Sequence, residues 1–154
     1  MIEIYIDGSS KNNGTYNNYG GHGFIVLKDN QKIHSYTSVT RNVTNNQEEL
    51  KSAIVALNWL RQNNLKEAVI YTDSQYVQKG ITQWIIKWKK LNWSKSPAKK
   101  VEIKNEELWK LLDALNQELN VIFVWIKGHQ KPIKGIKNWN NEIDKLINED
   151  ISYR

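Results

Sequence analysis

Alternating and continuous apolar runs divide the chain into strand-like and helix-like segments. Over residues 2–7, isoleucines alternate with Glu3, Tyr5 and Asp7, and because the second face is half apolar the pattern predicts a strand covered on both sides. Further β-rich runs at 20–27, 32–39, 68–73 and 121–126 predict four more strands, the first three strands forming an antiparallel meander. The turn residues Gly8-Ser9-Ser10 predict that the first strand ends there, with Asp7 at the edge of the sheet.

Helical periodicity accounts for much of the remaining chain. A helix following Thr44 has an apolar stripe made by Leu50, Ala53, Ile54, Leu57 and Leu60. Glu49 lies roughly 75° from the centre of this stripe and Glu48 lies nearly opposite, so Glu49 is the acid expected beside the sheet. Other helices are predicted from Ser74-Gln75, over 81–92, after Asn105 and from near Asn140. This order of elements predicts a mixed sheet with helices on its faces.

Length, composition and charge limit the classes of protein to which this chain can belong. The 154 residues, 40% hydrophobic, fit a single domain, and the lack of cysteine excludes disulfides and thiolate metal sites. The chain opens on a strand and has no window near transmembrane length, which predicts a cytoplasmic protein with no membrane partner. The segment from Lys79 to Lys104, called here the lysine segment, has eight lysines and one glutamate and a charge of +7, so the rest of the chain sums to −1.

Four acidic residues, Asp7, Glu49, Asp73 and Asp144, are far apart in sequence but lie at predicted strand ends or helix edges beside the sheet. A lone aspartate at a strand end is more often a turn former than a catalyst. Four converging carboxylates, however, would repel one another unless cations bound among them. Two Mg²⁺ ions roughly 4 Å apart can activate water and stabilise the leaving oxygen in a phosphodiester displacement, so the acids suggest this chemistry.

Five motifs in order carry a specific resemblance: Ile6-Asp7-Gly8-Ser9, Thr44-Asn45-Asn46-Gln47-Glu48-Glu49-Leu50, Thr72-Asp73-Ser74-Gln75-Tyr76-Val77, Lys127-Gly128-His129 and Asn140-Asn141-Glu142-Ile143-Asp144. Together they resemble type 1 ribonuclease H over nearly the whole chain. The resemblance implies one α/β domain over residues 1–154, with a five-stranded mixed sheet of order 3-2-1-4-5 and helices on both faces. It also implies endonucleolytic hydrolysis of the RNA strand of RNA–DNA hybrids, leaving 5′-phosphate and 3′-hydroxyl ends.

The same resemblance assigns roles within the catalytic site. It implies that Asp7 bridges two Mg²⁺ or Mn²⁺ ions and that Glu49, Asp73 and Asp144 complete their ligands. It implies that His129 assists proton transfer or product release, a role that suits a side chain titrating near neutrality. It implies a monomer that needs no protein partner.

Substrate contacts are implied in two further groups. Asn13, Asn45, Asn46 and Gln75 match positions that touch the minor groove of the hybrid, where 2′-hydroxyls distinguish RNA from DNA. Thr44 and Asn105 match a pocket for a DNA phosphate, although Asn105 also fits a simple helix N-cap, and both roles are compatible.

The lysine segment resembles the basic protrusion with which some members grip the hybrid. Its proposed contacts are Trp84, Lys87, Trp88, Lys89 and Lys90, since aromatic faces can pack on sugars while ammonium groups offset phosphate charge. The alternative is a solvated lysine face over a tryptophan core.

Two loops depart from the family pattern. The loop after Ser10 is longer than usual and lacks the usual proline. The loop between His129 and Asp144 is also longer and carries Lys131, Lys134 and Lys137, which either add a phosphate contact or merely solvate the loop.

Two other functions are compatible with parts of the pattern. A related polynucleotidyl transferase acting on DNA would share the acids but not the strings around Asn45 and Gln75. A binding module on a decayed ribonuclease H fold would not need all four acids. Cleavage of hybrid compared with duplex DNA distinguishes the first alternative, and binding without cleavage in Mg²⁺ distinguishes the second.

Overall fold

Five strands and five α-helices form the part of the chain that the computed structural model describes, residues 1–11 and 18–153. The strands are β1 (Ile2–Lys11), β2 (Tyr19–Lys28), β3 (Gln31–Arg41), β4 (Glu67–Thr72) and β5 (Asn120–Trp125). The helices are α1 (Asn45–Gln62), α2 (Gln75–Lys79), α3 (Ile85–Lys90), α4 (Glu106–Gln117) and α5 (Trp139–Ser152), and a π-helical turn, Gly80–Trp84, joins α2 to α3. Within these residues no helix is both long enough and apolar enough to span a membrane.

The strands form one mixed sheet in the order β3-β2-β1-β4-β5. The first three pair antiparallel, whereas β4 and β5 run parallel to β1. Asp29 and Asn30 connect β2 to β3 with φ values of 51° and 65°, the left-handed pair that a tight two-residue hairpin requires. The predicted meander, the mixed sheet and its strand order are confirmed.

The first strand is longer than its turn residues predict. β1 continues through Gly8, Ser9 and Ser10 and pairs with β2 as far as Lys11 opposite Tyr19. The predicted stop was wrong because pairing to β2 supplies backbone hydrogen bonds that override local turn propensity. On its other side, the parallel pairing with β4 ends at Tyr5 opposite Tyr71. Asp7 therefore lies just past the end of the β1–β4 pairing, although not at the end of its own strand.

Two hydrophobic clusters cover the two faces of the sheet. On one face α1 packs over β1 and β2 while α4 packs against α1 and β5, with Ile4 and Ile6 of β1 among the buried side chains. On the other face α5 packs over β1, β2 and β3, and its Ile143 and Ile147 join a separate cluster with Ile25 of β2. The central strands are thus buried on both sides, as the pattern of residues 2–7 predicts.

The position of Glu48 differs from the prediction. Its side chain is fully buried, with Oε2 3.0 Å from Lys51 Nζ and Oε1 3.2 Å from His22 Nδ1. The helical angle places it opposite the stripe of large residues, but the first turn of α1 lies so close to β1 and β2 that both sides are covered. Burial alone would raise the pKa of Glu48, yet hydrogen bonds with His22 and Thr40 lower it below its usual value.

Candidate functional site

Three carboxylates meet where the parallel strands end. Asp7 and Asp73 each follow the last aligned pair, Tyr5 and Tyr71, by two residues, so the register of β1 and β4 sets them side by side. Glu49 reaches them from the first turns of α1. Ligand oxygens of Asp7, Glu49 and Asp73 all lie within 4.8 Å of one another. Asp7 and Glu49 are buried and Asp73 is half-buried, so one side of the cluster opens to solvent.

The backbone of Gly8 ties two of these acids together. Its N–H donates to Asp7 Oδ1 at 3.0 Å and also to Glu49 Oε1. A Cβ at this position would lie 2.3 Å from the carbonyl carbon of Glu48, closer than packed atoms allow. Glycine at position 8 therefore lets α1 approach β1 closely enough for Glu49 to reach Asp7.

Asp73 is positioned by groups from three other parts of the chain. Asn140 Nδ2 donates to its Oδ2 at 3.4 Å, and the indole Nε1 of Trp125 donates to its backbone carbonyl at 3.0 Å. A Cβ on Gly128 would lie 2.6 Å from Asp73 Oδ2, so glycine leaves room for the carboxylate there. The sequence prediction missed Asn140. It precedes Asp144 by four residues, and this one-turn spacing on the same helix face could have identified it.

Burial and mutual repulsion favour the protonated forms of these acids. Burial, followed by the charges of Glu49 and Asp73, raises the pKa of Asp7 well above its usual value. Burial and the charge of Asp73 raise the pKa of Glu49 to about 8, despite hydrogen bonds that act in the opposite direction. Burial also raises the pKa of Asp73, with opposing effects from Asn140 and His129. Such a cluster gains most from a bound cation, which replaces repulsion by attraction.

The other two predicted catalytic residues border the same cleft. A cavity of about 400 Å³ is lined by Asp7, Gly8, Ser9, Asn45, Asn46, Glu49, Asp73, Ser74, Gly128, His129 and Asp144. Asp144, on α5, faces this space but lies outside the group of three acids within 4.8 Å. His129 follows β5 with a left-handed φ of 54°. The structure thus brings all five predicted catalytic residues to one cleft, with three acids in close contact.

The predicted minor-groove residues are distributed unevenly around this cleft. Asn45 and Asn46 line it, and Asn45 Oδ1 accepts a hydrogen bond from the backbone N–H of Ser10 at 2.6 Å. Gln75 is exposed at the first position of α2, outside the lining, where Ser74 stands instead. Asn13 lies outside the described residues.

The two predicted phosphate-pocket residues have separate local roles. Thr44 caps α1, with its Oγ1 accepting from Gln47 N at 3.1 Å and Gln47 Oε1 accepting from Thr44 N at 2.9 Å. Asn105 occupies the N-cap position of α4 without a capping side-chain bond and instead donates from Nδ2 to the Tyr76 hydroxyl at 3.1 Å. The simple N-cap interpretation of its side chain was therefore wrong. A cavity of about 400 Å³ contains Asn105 together with Gln47, the capping partner of Thr44.

The tryptophans of the lysine segment serve the core as well as the surface. Trp84 and Trp88 are half-buried, and their ring centroids lie 6.5 and 5.6 Å from that of the buried Trp109. They also line an open cavity of about 410 Å³ with Lys87 and four other residues, Tyr76, Lys95, Ile103 and Lys104. Of the other predicted contacts, Lys89 pairs with Asp113 at 3.1 Å and Lys90 is exposed. Both rings remain partly exposed, so the arrangement combines features of both alternatives.

Comparison with known proteins places the chain in a family. Residues 1–152 match the family model for RNase H. Ribonuclease H of Klebsiella pneumoniae is 41% identical over 129 residues, which cover 84% of this chain and 78% of that protein. Ribonuclease H of Methylobacillus flagellatus is 40% identical over an alignment of length 158, which spans 98% of this chain and 91% of the relative.

Solved structures share the fold at lower identity. LC9-RNase H1, described as a type 1 RNase H with the type 2 active-site motif, has a TM-score of 0.81 at 23% identity and aligns with 99% of this chain and 72% of its own. LC11-RNase H1, solved in complex with an RNA/DNA hybrid, has a TM-score of 0.70 at 21% identity and aligns over 100% of both chains. The chain has acids at the end of its parallel strands, has this fold and matches the family model over residues 1–152. It therefore belongs to the RNase H family.

Proposed function

We propose that this protein is an endonuclease that hydrolyses the RNA strand of RNA–DNA hybrids and leaves 5′-phosphate and 3′-hydroxyl ends. The observation that carries the proposal is the convergence of Asp7, Glu49 and Asp73 within 4.8 Å, in a chain that belongs to the RNase H family. The protein named LC11-RNase H1, of the same fold, is solved with an RNA/DNA hybrid.

The acidic cluster has the chemistry of a divalent-cation site. Its donors are hard carboxylate oxygens, and the motifs that supply them contain no cysteine or methionine. Oxygen donors of this kind suit Mg²⁺ or Mn²⁺. Asp7, Glu49 and Asp73, together with Asp144, would hold two such ions. When bound, the ions supply activation of water and stabilisation of the leaving oxygen.

The chain itself holds and orients the reacting groups. The Gly8 N–H fixes the carboxylates of Asp7 and Glu49, and Asn140 fixes that of Asp73. His129 lines the same cleft, and its proposed role is to take up or return a proton during turnover. Asn45 and Asn46 border the cleft, where their amides can contact bases and sugars in the minor groove.

Cleavage assays on matched substrates test this function. The protein is incubated with a labelled RNA–DNA hybrid, duplex DNA and duplex RNA of one sequence, with Mg²⁺, Mn²⁺ or a chelator. We expect metal-dependent cuts in the RNA of the hybrid only. Cuts in duplex DNA would instead support a DNA-acting transferase, and tight hybrid binding without cleavage would support a binding module. The single domain, monomeric state and cytoplasmic location stay predictions.

A further inference from the structure

A second basic surface adjoins the cleft outside the lysine segment. Residues 130–138, called here the basic turn, contain Lys131, Lys134 and Lys137, and no acid occurs between Ile126 and Asn141. Among the described residues, no carboxylate lies within ion-pair distance of any of these three lysines. In the lysine segment, by contrast, Lys89 and Lys100 pair with acids. The positive charge of the basic turn is therefore not neutralised within the described chain.

The basic turn has a defined conformation. At its start, Asn141 Nδ2 donates to the Gln130 carbonyl at 2.9 Å, and at its end Asn138 Oδ1 accepts from Asn141 N at 3.0 Å. At the tip, Ile136 N donates to the Ile133 carbonyl at 3.0 Å, and Gly135 takes a φ of 85° that favours glycine. The lysines are thus presented from a closed turn, which lowers the entropy cost of binding through them.

The basic turn and the lysine segment lie on opposite faces of the sheet that carries Asp7 and Asp73. The basic turn begins after His129 and ends before Asn140, which donates to Asp73, and it leads into α5 on one face of the sheet. The lysine segment includes α3 and packs in the cluster of α1 and α4 on the other face. A duplex laid over the cleft would therefore meet positive charge on both sides of the cut.

The tip of the basic turn adds an apolar element to this charge. Ile133 and Ile136 are each 65% exposed and alternate with the lysines. A sugar–phosphate backbone presents apolar sugar edges between charged phosphates, so it matches alternating isoleucine and lysine better than a purely ionic partner does. This favours a nucleic-acid backbone over a small anion as the ligand.

We propose that the basic turn is a second phosphate-contacting surface, which binds the backbone of the hybrid on the side of the cleft opposite the lysine segment. The inference rests on the proposed function, since it takes the hybrid as the bound duplex. Its lysines position substrate and take no part in the chemistry.

Salt-dependent binding of a triple variant tests the proposal. In Mg²⁺-free buffer, where cleavage is prevented, hybrid affinity is measured across a salt series for the parent and for Lys131→Ala/Lys134→Ala/Lys137→Ala. Removing each lysine that binds a phosphate should reduce the log–log salt slope by about 0.9, and at 0.1 M salt should weaken binding roughly eightfold. The matched control is Lys28→Ala/Lys32→Ala/Lys66→Ala, which removes the same charge at the opposite end of the sheet. The control should keep the parent slope, and melting curves confirm that both variants fold.

A trimming series locates the contact. All hybrids share one end, which lies at a fixed distance from a defined cut position. The other end is shortened in steps of one base pair. We expect the parent to lose affinity when the trimmed end no longer reaches the basic turn, and the triple variant to show no such step. If the parent cuts hybrid but the triple variant and the control share one slope, the basic turn is not a contact. If the parent does not cut hybrid at all, it is the proposed function that fails.

Discussion

Replacing Asp73 by asparagine separates a metal ligand from a structural turn residue. Asparagine keeps the shape of the side chain, and its amide oxygen can still accept from Asn140 Nδ2, now 3.4 Å from Asp73 Oδ2. The substitution removes one negative charge from a cluster in which ligand oxygens of Asp7 and Glu49 lie within 4.8 Å. The fold should therefore survive while the chemistry is lost.

The expected change in stability follows from Coulomb's law. Two unit charges 4.8 Å apart repel by about 3.5 kcal/mol at an effective dielectric constant of about 20. The raised pKa values of Asp7 and Glu49 show that bound protons already relieve part of this repulsion. We therefore expect Asp73→Asn to gain only about 1–2 kcal/mol without metal, or roughly 2–8 °C in Tm. Mg²⁺ at about 100 times its Kd should stabilise the parent by about 2.7 kcal/mol and the variant by less.

Loss of cleavage is the larger expected effect. Metal ions supply several kcal/mol of transition-state stabilisation, and losing about 4 kcal/mol slows a reaction about 10³-fold. Hybrid binding in the absence of metal should persist, because Asn45, Asn46 and the lysine segment are unchanged. The assays are thermal melts with and without Mg²⁺, a binding titration and a cleavage gel.

A matched control is available in the hairpin between β2 and β3. Asp29→Asn makes the same chemical change at an exposed position whose φ of 51° asparagine tolerates well. It should cleave like the parent and respond equally to Mg²⁺. Full cleavage by Asp73→Asn would refute the metal-site assignment, and loss of its fold would show that Asp73 is structural.

Three further predictions concern other parts of the site. His129→Ala should lower turnover by about 10²–10⁴-fold and leave residual cleavage. His34 lies far from the cleft, so His34→Ala should leave turnover unchanged. Similar effects of both changes would contradict the assignment of His129. Lys87→Ala/Lys90→Ala should reduce the salt slope of hybrid binding by about 0.9 per phosphate contact with an unchanged Tm, and an unchanged slope would show an ordinary solvated surface. Without metal, Tm should fall as the pH rises from about 4.5 to about 8, because Glu49 keeps a proton in the folded state that the unfolded chain has released. Saturating Mg²⁺ should remove that decline, and a metal-free Tm that rises over this interval would contradict it.

The sheet and the three central acids could be predicted because each depends on local patterns. Period-2 alternation in residues 2–7 identified a strand buried on both faces, and the motifs around Asp7, Glu49 and Asp73 marked the segments that meet. The predicted β-strand order followed from the family resemblance and is confirmed.

The remaining details depend on contacts between distant segments. Glu48 is buried because Gly8 and Gly20 let the first turn of α1 approach two strands, which no helical wheel of α1 alone can show. Asn105 turns its amide to Tyr76 because the α2 segment lies beside α4, a packing relation absent from the local N-cap pattern. Asn105 also has a left-handed φ of 62°, a conformation that asparagine adopts more readily than most residues.

The π-helical turn Gly80–Trp84 determines the direction in which the side chains of the following helix, α3 of the lysine segment, point. It inserts about one extra residue per turn relative to an α-helix, and a Cβ on Gly80 would lie 1.9 Å from the Trp109 ring, so the helix is held tightly at this point. If the same residues wound as an α-helix instead, the extra residue would turn everything after it by about 100°. Trp88 would then leave Trp109, and the lysines would rotate with it towards a different side of the molecule. The single wide turn at residues 80–84 therefore decides which way the charged face of this helix points.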